Sequence, residues 1–273
     1  MHPGQLDVSV GVVRRLVDAQ FPQWRTLPLT PVRGVGTVNA LFRLGPGLTL
    51  RFPLRPGDPA AVRNEARAAG ELLGRTRFPT PAPVAVGEPG PGYPWPWSVQ
   101  TWLPGRTAFE VDAGNSVPFA EDLAEFVLGV RAIDARGRTF DGAGRGGCLA
   151  DSDDWMRTCL SRSVGLLDVD ALRSRWETFR ELPRGSAPDV TSHRDLIPGN
   201  VLVAGERLAG VLDVGGLGPA DPALDLVAAW HLLAAGPRAV FRAALGVPDD
   251  EQPPAAGKFA RLVTDRRSGA SRG

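Results

Sequence analysis

The chain has 273 residues, 43% hydrophobic and 22% charged, with a net charge of +1. This is the make-up of an ordinary globular protein long enough for one large domain or two lobes, and it argues against a nucleic acid or an acidic membrane surface as partner. Two cysteines, Cys148 and Cys159, make no disulfide framework, and three histidines show no zinc-ligand spacing, so a reducing cytoplasm is the expected compartment. Met1–Ala19 lacks the layout of a signal peptide, and the longest apolar run, 226–235, is too short to span a bilayer. Lys258 is the single lysine; every other basic residue apart from histidine is arginine.

In chain order, Val8, Val12, Val13, Leu16 and Val17 recur at helical spacing and predict an opening amphipathic helix. Ala40–Leu44 and Leu48–Leu54 read as strands joined by the Gly45-Pro46-Gly47 turn. Asp58-Pro59 offers an N-cap and a first-turn proline to a helix with the stripe Val62, Ala66, Ala69 and Leu73, with Glu65 at its edge. Pro83–Val86 and Trp97–Leu103 read as further strands around a Pro/Gly-rich turn, and Pro104-Gly105 marks a lobe boundary.

Beyond it, Phe119, Leu123, Phe126, Val127, Val130 and Ile133 predict a strong helix. Leu172, Trp176, Phe179 and Leu182 predict another, capped by Asp168 or Asp170. Asn200–Val203 and Arg207–Leu212 read as a hairpin turning at Gly205, and Asp221-Pro222 opens a helix over 221–235. Strands first and helices second imply an α+β architecture without internal repeats. The expected domains are residues 1–105, 106–248, and an atypical, disordered tail over 249–273, where Pro, Gly, Ser and Arg replace apolar periodicity.

The chemistry concentrates in Ser192-His193-Arg194-Asp195-Leu196-Ile197-Pro198-Gly199-Asn200 and Val211-Leu212-Asp213-Val214-Gly215. Phosphoryl transfer from ATP needs a carboxylate for the attacking hydroxyl and oxygen ligands for Mg²⁺. Asp195 supplies the first, and Asn200 with Asp213 the second; the order follows the H-R-D-x-x-x-x-N and D-F-G arrangement of kinases. Singly, Asp195 and Asn200 are also ordinary turn residues, and it is the joint spacing with Asp213 that carries the reading. His193 reads as a structural hydrogen-bonding residue, Asp221 as an N-cap and Asp225 as a carboxylate on a helix dipole; neither aspartate enters the chemistry.

These motifs, with Gly218-Pro219-Ala220-Asp221-Pro222-Ala223-Leu224-Asp225-Leu226, resemble the aminoglycoside phosphotransferase (choline-kinase-like) family over roughly Asp7 to Pro248. Tyr93–Val99 and Trp102-Leu103-Pro104-Gly105 resemble the strand-and-hinge segment of its actinobacterial-type members. The resemblance implies a two-lobed protein-kinase-like fold, with a small β-rich N-terminal lobe and a larger, mainly helical C-terminal lobe. It also implies ATP and Mg²⁺ as cofactors, and a hydroxyl of an antibiotic or metabolite as acceptor. Gly34, Gly36 and Thr37 look like the loop covering the nucleotide, and Arg51 stands where kinases place a phosphate-binding lysine. Arginine serves there because it stays protonated and grips phosphate in a fork. Glu65 is its expected partner, and Gln100, Trp102 and Leu103 the strand against which adenine would lie. Exposed positions without function are the competing reading for Arg51 and Glu65.

Asp213 is followed almost at once by Gly218–Pro222, leaving no room for a peptide-docking segment, so a small acceptor is expected rather than a protein. Acidic side chains outnumber basic ones between Arg106 and Asp154, which makes a cationic aminoglycoside one candidate and a merely solvated surface the other. Two features depart from the family pattern. Arg194 replaces a usual glycine, and the chain after Pro248 shows no further helices. They motivate a second reading, a catalytically silent nucleotide-binding protein. A G-x-S-x-G elbow and a G-x-x-x-x-G-K-[ST] loop are both absent from the sequence.

Overall fold

A computed structural model describes residues 6–32, 38–142, 145, 148–182 and 187–247. Gly34, Gly36 and Thr37, and the tail expected from Asp249, lie outside the described residues. The chain divides into two compact units, Met1–Gly105 with Gly210–Gly216, and Arg106–Ala209 with Leu217–Gly273.

The first unit opens with helix α1 (Val10–Gln20), capped by the Ser9 hydroxyl, which accepts from the Val12 amide. A five-stranded antiparallel sheet follows, in the order β1-β2-β3-β5-β4: β1 (Leu29–Pro31), β2 (Asn39–Leu44), β3 (Leu48–Pro53), β4 (Pro83–Gly87) and β5 (Trp97–Thr101). Side chains alternate across a strand. Phe42 and Leu44, Leu50 and Phe52, and Trp97 and Val99 therefore share one face and bury with Val13, Leu16 and Val17 of α1. Phe52 stacks on Trp97 at 4.8 Å and meets Tyr93 edge-on at 4.9 Å, while the Tyr93 hydroxyl donates to the Pro53 carbonyl. Gly87 is required by this packing: a Cβ there would fall 2.0 Å from the Trp97 ring.

Arg51, between Leu50 and Phe52, points to the other face. Helix α2 (Pro59–Leu72) starts at the cap predicted from Asp58-Pro59; the Asp58 carboxylate accepts from the Ala60 amide. Its buried stripe is Val62, Ala69 and Leu72. Leu73, placed in the stripe by sequence, is the extended C-cap and about half exposed, because the helix ends one residue earlier. The returning segment Gly210–Gly216 joins this unit through the Val211 amide, which donates to the Pro79 carbonyl.

The second unit begins with β6 (Arg106–Thr107) and is built around α3 (Val117–Arg131), capped by Ser116. Phe119, Leu123, Phe126, Val127 and Val130 form its buried face, as the periodicity predicted. Helices α4 (Asp153–Arg162) and α5 (Val169–Arg180) make a satellite core from Met156, Leu160, Leu172 and Trp176; Asp168 is the α5 cap. Strand β7 (Val190–Ser192) precedes the hairpin β8 (Val201–Ala204) and β9 (Arg207–Val211), and pairs with β10 (Gly218–Ala220).

The helix expected over 221–235 is not one helix. Asp221 caps a 3₁₀ turn at Pro222–Leu226, α6 spans only Val227–Leu232, and Leu233 and Ala234 are extended before α7 (Ala235–Ala244). The break has a bonding reason: the Ala234 amide leaves helical register to donate to Gly114 O at 2.8 Å. Among the described residues, no helix is long and apolar enough to cross a membrane.

Candidate active site

In the first unit, β3 delivers Arg51, α2 delivers Glu65, and the 210–216 segment delivers Asp213. Arg51 Nη2 donates to Asp213 Oδ1 at 2.7 Å and lies 4.0 Å from Glu65 Oε2. The arginine side chain is only 12% exposed, whereas each carboxylate is 45% exposed. Asp213 adopts φ +55°, the left-handed region that side chains other than glycine, asparagine and aspartate seldom occupy. Such a conformation persists only where surrounding bonds hold it, and the Arg51 contact does so here.

Burial pushes the Glu65 carboxyl above its ordinary value; the Arg51 charge opposes this and Asp213 adds to it. The close approach of α2 depends on Gly215, since a Cβ there would lie 2.8 Å from Glu65 Cβ and Cγ. Of the three hinge residues, Gln100 pairs within the sheet with Thr49 and Pro83, and the Trp102 amide donates to Gly47 O at 2.8 Å. The Trp102 ring carries the Arg43 guanidinium 4.8 Å from its centroid, and Leu103 is half-buried.

In the second unit, the loop between β7 and β8 holds His193, Arg194, Asp195 and Asn200. The Asn200 amide nitrogen donates to both the Asp195 main-chain oxygen, at 3.0 Å, and its Oδ2, at 3.1 Å. His193 is buried against Phe126, and its Nδ1 accepts from the Asp195 amide at 3.3 Å, a bracing role that matches the structural reading. Arg145 forms an ion pair with Asp195 Oδ1. Arg194 has φ +67°, which is why glycine suits this position; its Nε donates to Arg145 O and its guanidinium stands 5.4 Å from the Phe140 ring centroid.

Sequence reasoning missed the post that holds this loop. Asp225 is almost fully buried, and it accepts from the Ser192 hydroxyl at 2.6 Å and from Arg131 Nε at 2.7 Å. Arg131 Nη2 also donates to Pro222 O, and Ser192 Oγ accepts in turn from the Arg194 amide. Burial pushes the Asp225 carboxyl up, with Arg131 and then Ser192 pulling the other way. The three residues thus tie the end of α3, β7 and the 3₁₀ turn together just before Asp195. The sequence signal was faint: an aspartate one turn past Asp221-Pro222, and an arginine closing α3.

A cavity of about 240 Å³ in the same unit is lined by Arg145, Arg194, Asp195, Asp225 and His231, with Leu196, Ile197, Leu224, Val227 and Ala228 as its apolar wall. The acidic residues expected to attract a cation are largely engaged elsewhere. Asp122 binds Arg207 and the Leu208 amide, Asp153 binds Trp176 Nε1 and Arg180, and Glu110 binds the Thr107 amide and hydroxyl. Among the described residues, no group of three His, Cys, Asp or Glu side chains forms a metal cage.

A β-rich unit carrying Arg51, Glu65 and Asp213, and a helical unit carrying Asp195 and Asn200, define an α+β protein of the kinase-like class. A model described as the phosphotransferase enzyme family, APH, matches residues 32–257, and the chain belongs to that family. Solved structures agree on the fold. The GDP and kanamycin complex of APH(2")-IIia aligns over 95% of this chain and 92% of that one, with a TM-score of 0.72 and 19% identity. Macrolide 2'-phosphotransferase MphH from Brachybacterium faecium aligns over 93% and 89%, with a TM-score of 0.60 and 22% identity. The streptomycin-ATP-APH(2")-IIa ternary complex aligns over 96% and 89%, at 0.62 and 14%. A comparison with curated proteins gave no match.

Proposed function

We propose that the chain transfers the γ-phosphate of ATP to a hydroxyl of a small molecule in the cytoplasm, either an aminoglycoside-like antibiotic or another hydroxylated metabolite. The observation that carries this reading is the Asn200 side chain. By donating to Asp195 twice it fixes that carboxylate, and it keeps its own Oδ1 as an acceptor-only atom. Asp195 orients the hydroxyl and takes its proton. Asn200 Oδ1 and the Asp213 carboxylate would hold Mg²⁺; both are hard oxygen donors, and so small a ligand set suits an ion that keeps several waters. When bound, that ion supplies charge neutralisation on the phosphates.

Arg51, held in its strand by Asp213 and Glu65, offers a fork to the phosphates. Adenine lies along Gln100, Trp102 and Leu103. The family membership and the aminoglycoside and macrolide enzymes among the structural neighbours support a phosphotransferase acting on a small molecule.

The test is Asp195→Ala, assayed for γ-phosphate transfer across aminoglycosides, macrolides, choline and simple amino alcohols, with ATP binding measured separately. Transfer is expected to drop about 10²–10⁴-fold with ATP affinity unchanged. Undiminished turnover removes the assigned role. Transfer to no acceptor by the wild type, with ATP still bound, favours the silent nucleotide-binding reading.

A further inference from the structure

The cavity beside Asp195 offers a polycation only carboxylates that are already engaged. Of its lining carboxylates, Asp225 is buried and engaged by Arg131 and Ser192, and Asp195 is paired with Arg145. Two guanidiniums line the same space, Arg145 and Arg194, tied by the Arg194 Nε bond to the Arg145 main chain. His231, also lining it, adds no negative charge; burial and then the Arg145 charge hold it below its ordinary value. An ammonium entering here finds two guanidiniums and no unengaged carboxylate among the lining residues. At about 240 Å³ the cavity is also smaller than the ~300–1,000 Å³ usual for drug-sized ligands.

We propose that the acceptor is a small hydroxy acid, whose carboxylate draws Arg145 off Asp195 while its hydroxyl takes the place beside the freed aspartate. This rests on the phosphotransfer reading and narrows its substrate class. A guanidinium fork matches a carboxylate in two parallel bonds, so Arg145 exchanges one carboxylate partner for another. The apolar wall of Leu196, Ile197, Leu224 and Val227 receives the carbon skeleton. In the transfer, the acceptor oxygen bonds to the γ-phosphorus as the bond from that phosphorus to the bridging oxygen of the nucleoside triphosphate breaks. The nucleoside diphosphate leaves, and the hydroxyl proton passes to Asp195. Until an acid arrives, Arg145 keeps Asp195 from accepting a proton from water.

The experiment uses matched sets on one carbon skeleton: hydroxy acids, the corresponding hydroxy amides, and amino alcohols. Each is tested in two assays on the full chain, protection against thermal unfolding and phosphate transfer from ATP. The acids alone are expected to raise the melting temperature, and to be phosphorylated at least tenfold more efficiently in kcat/KM than their amides. Arg145→Ala and Arg194→Ala should each abolish the preference for acid over amide in both assays. Equal or better protection by amines or amides, no protection by any acid, or an unchanged acid preference in both arginine variants overturns the proposal. Arginine-dependent protection by acids without transfer to any of them upholds the hydroxy-acid site and overturns the phosphotransfer reading instead.

Discussion

Two carboxylate–guanidinium pairs with the same 2.7 Å contact sit in different surroundings in this protein. Asp225 and Arg131 are 3% and 17% exposed at the side chain, and a serine hydroxyl completes the carboxylate's bonding. Asp213 pairs with Arg51 but is 45% exposed and sits on a left-handed backbone. The buried pair is almost wholly withdrawn from solvent and holds loop geometry. In the second pair only the carboxylate is open, since Arg51 at 12% is no more exposed than Arg131. Distance alone does not tell the two pairs apart; exposure of the carboxylate and backbone strain do.

The comparison is broken most sharply by truncating the buried partner. Asp225→Ala strands Arg131 and is expected to cost about 3–5 kcal/mol in urea unfolding, because an uncompensated charge remains inside. Gly215→Ala forces the new methyl against Glu65, or α2 away from it, and should cost about 1–3 kcal/mol with weaker ATP binding in titration calorimetry. Arg194→Gly relieves a left-handed residue and should stabilise the fold by about 1 kcal/mol, read from the same urea curves.

Asp213→Ala is the counterpart of the first variant: the lost carboxylate is half-exposed and Glu65 stays 4.0 Å from Arg51, so it should cost at most about 1 kcal/mol while transfer from ATP is lost. If it instead unfolds the protein as Asp225→Ala does, the contrast drawn between the pairs fails. The smallest effect is a pH dependence at His231. Its folded value lies below the ordinary 6.5, so the unfolded chain binds the proton first as pH falls. Stability from this group is therefore full above about pH 6.5 and declines as pH drops through the window beneath it. Melting temperatures of wild type and His231→Asn between about pH 7.5 and pH 5 should diverge on the acid side, with the wild type falling faster.

The elements legible in sequence were those whose period is set by one buried face. Val13, Leu16 and Val17 announced α1, and Phe119 to Val130 announced α3, because each buries a continuous stripe. Helix α7 went unread because Gly236 and Pro237 stand in its first turn and Phe241 is its one large apolar anchor. Helix α4 was hidden behind its own acidic first turn, Asp153 and Asp154, which read as a surface cluster. The break at Leu233 and Ala234 depends on a carbonyl at Gly114, more than a hundred residues away in sequence, and no local pattern encodes it. The same holds at the site. Motif spacing picked out Asp195, Asn200 and Asp213, but the arginines around the loop reach in from elsewhere: Arg145 from a Gly-rich stretch to Asp195, and Arg131 from a helix end to Asp225.

Arg51 also decides which reagents report on this protein. Probes that label kinases by acylating or sulfonylating the nucleotide-site amine need a primary amino group beside the phosphates. With a guanidinium in that strand position, and Lys258 as the sole lysine in the sequence, nucleophilic capture at Arg51 is ruled out by its lasting protonation. On the proposed placement of the phosphates, a proteome-wide survey by such tags would find no amine to label at Arg51.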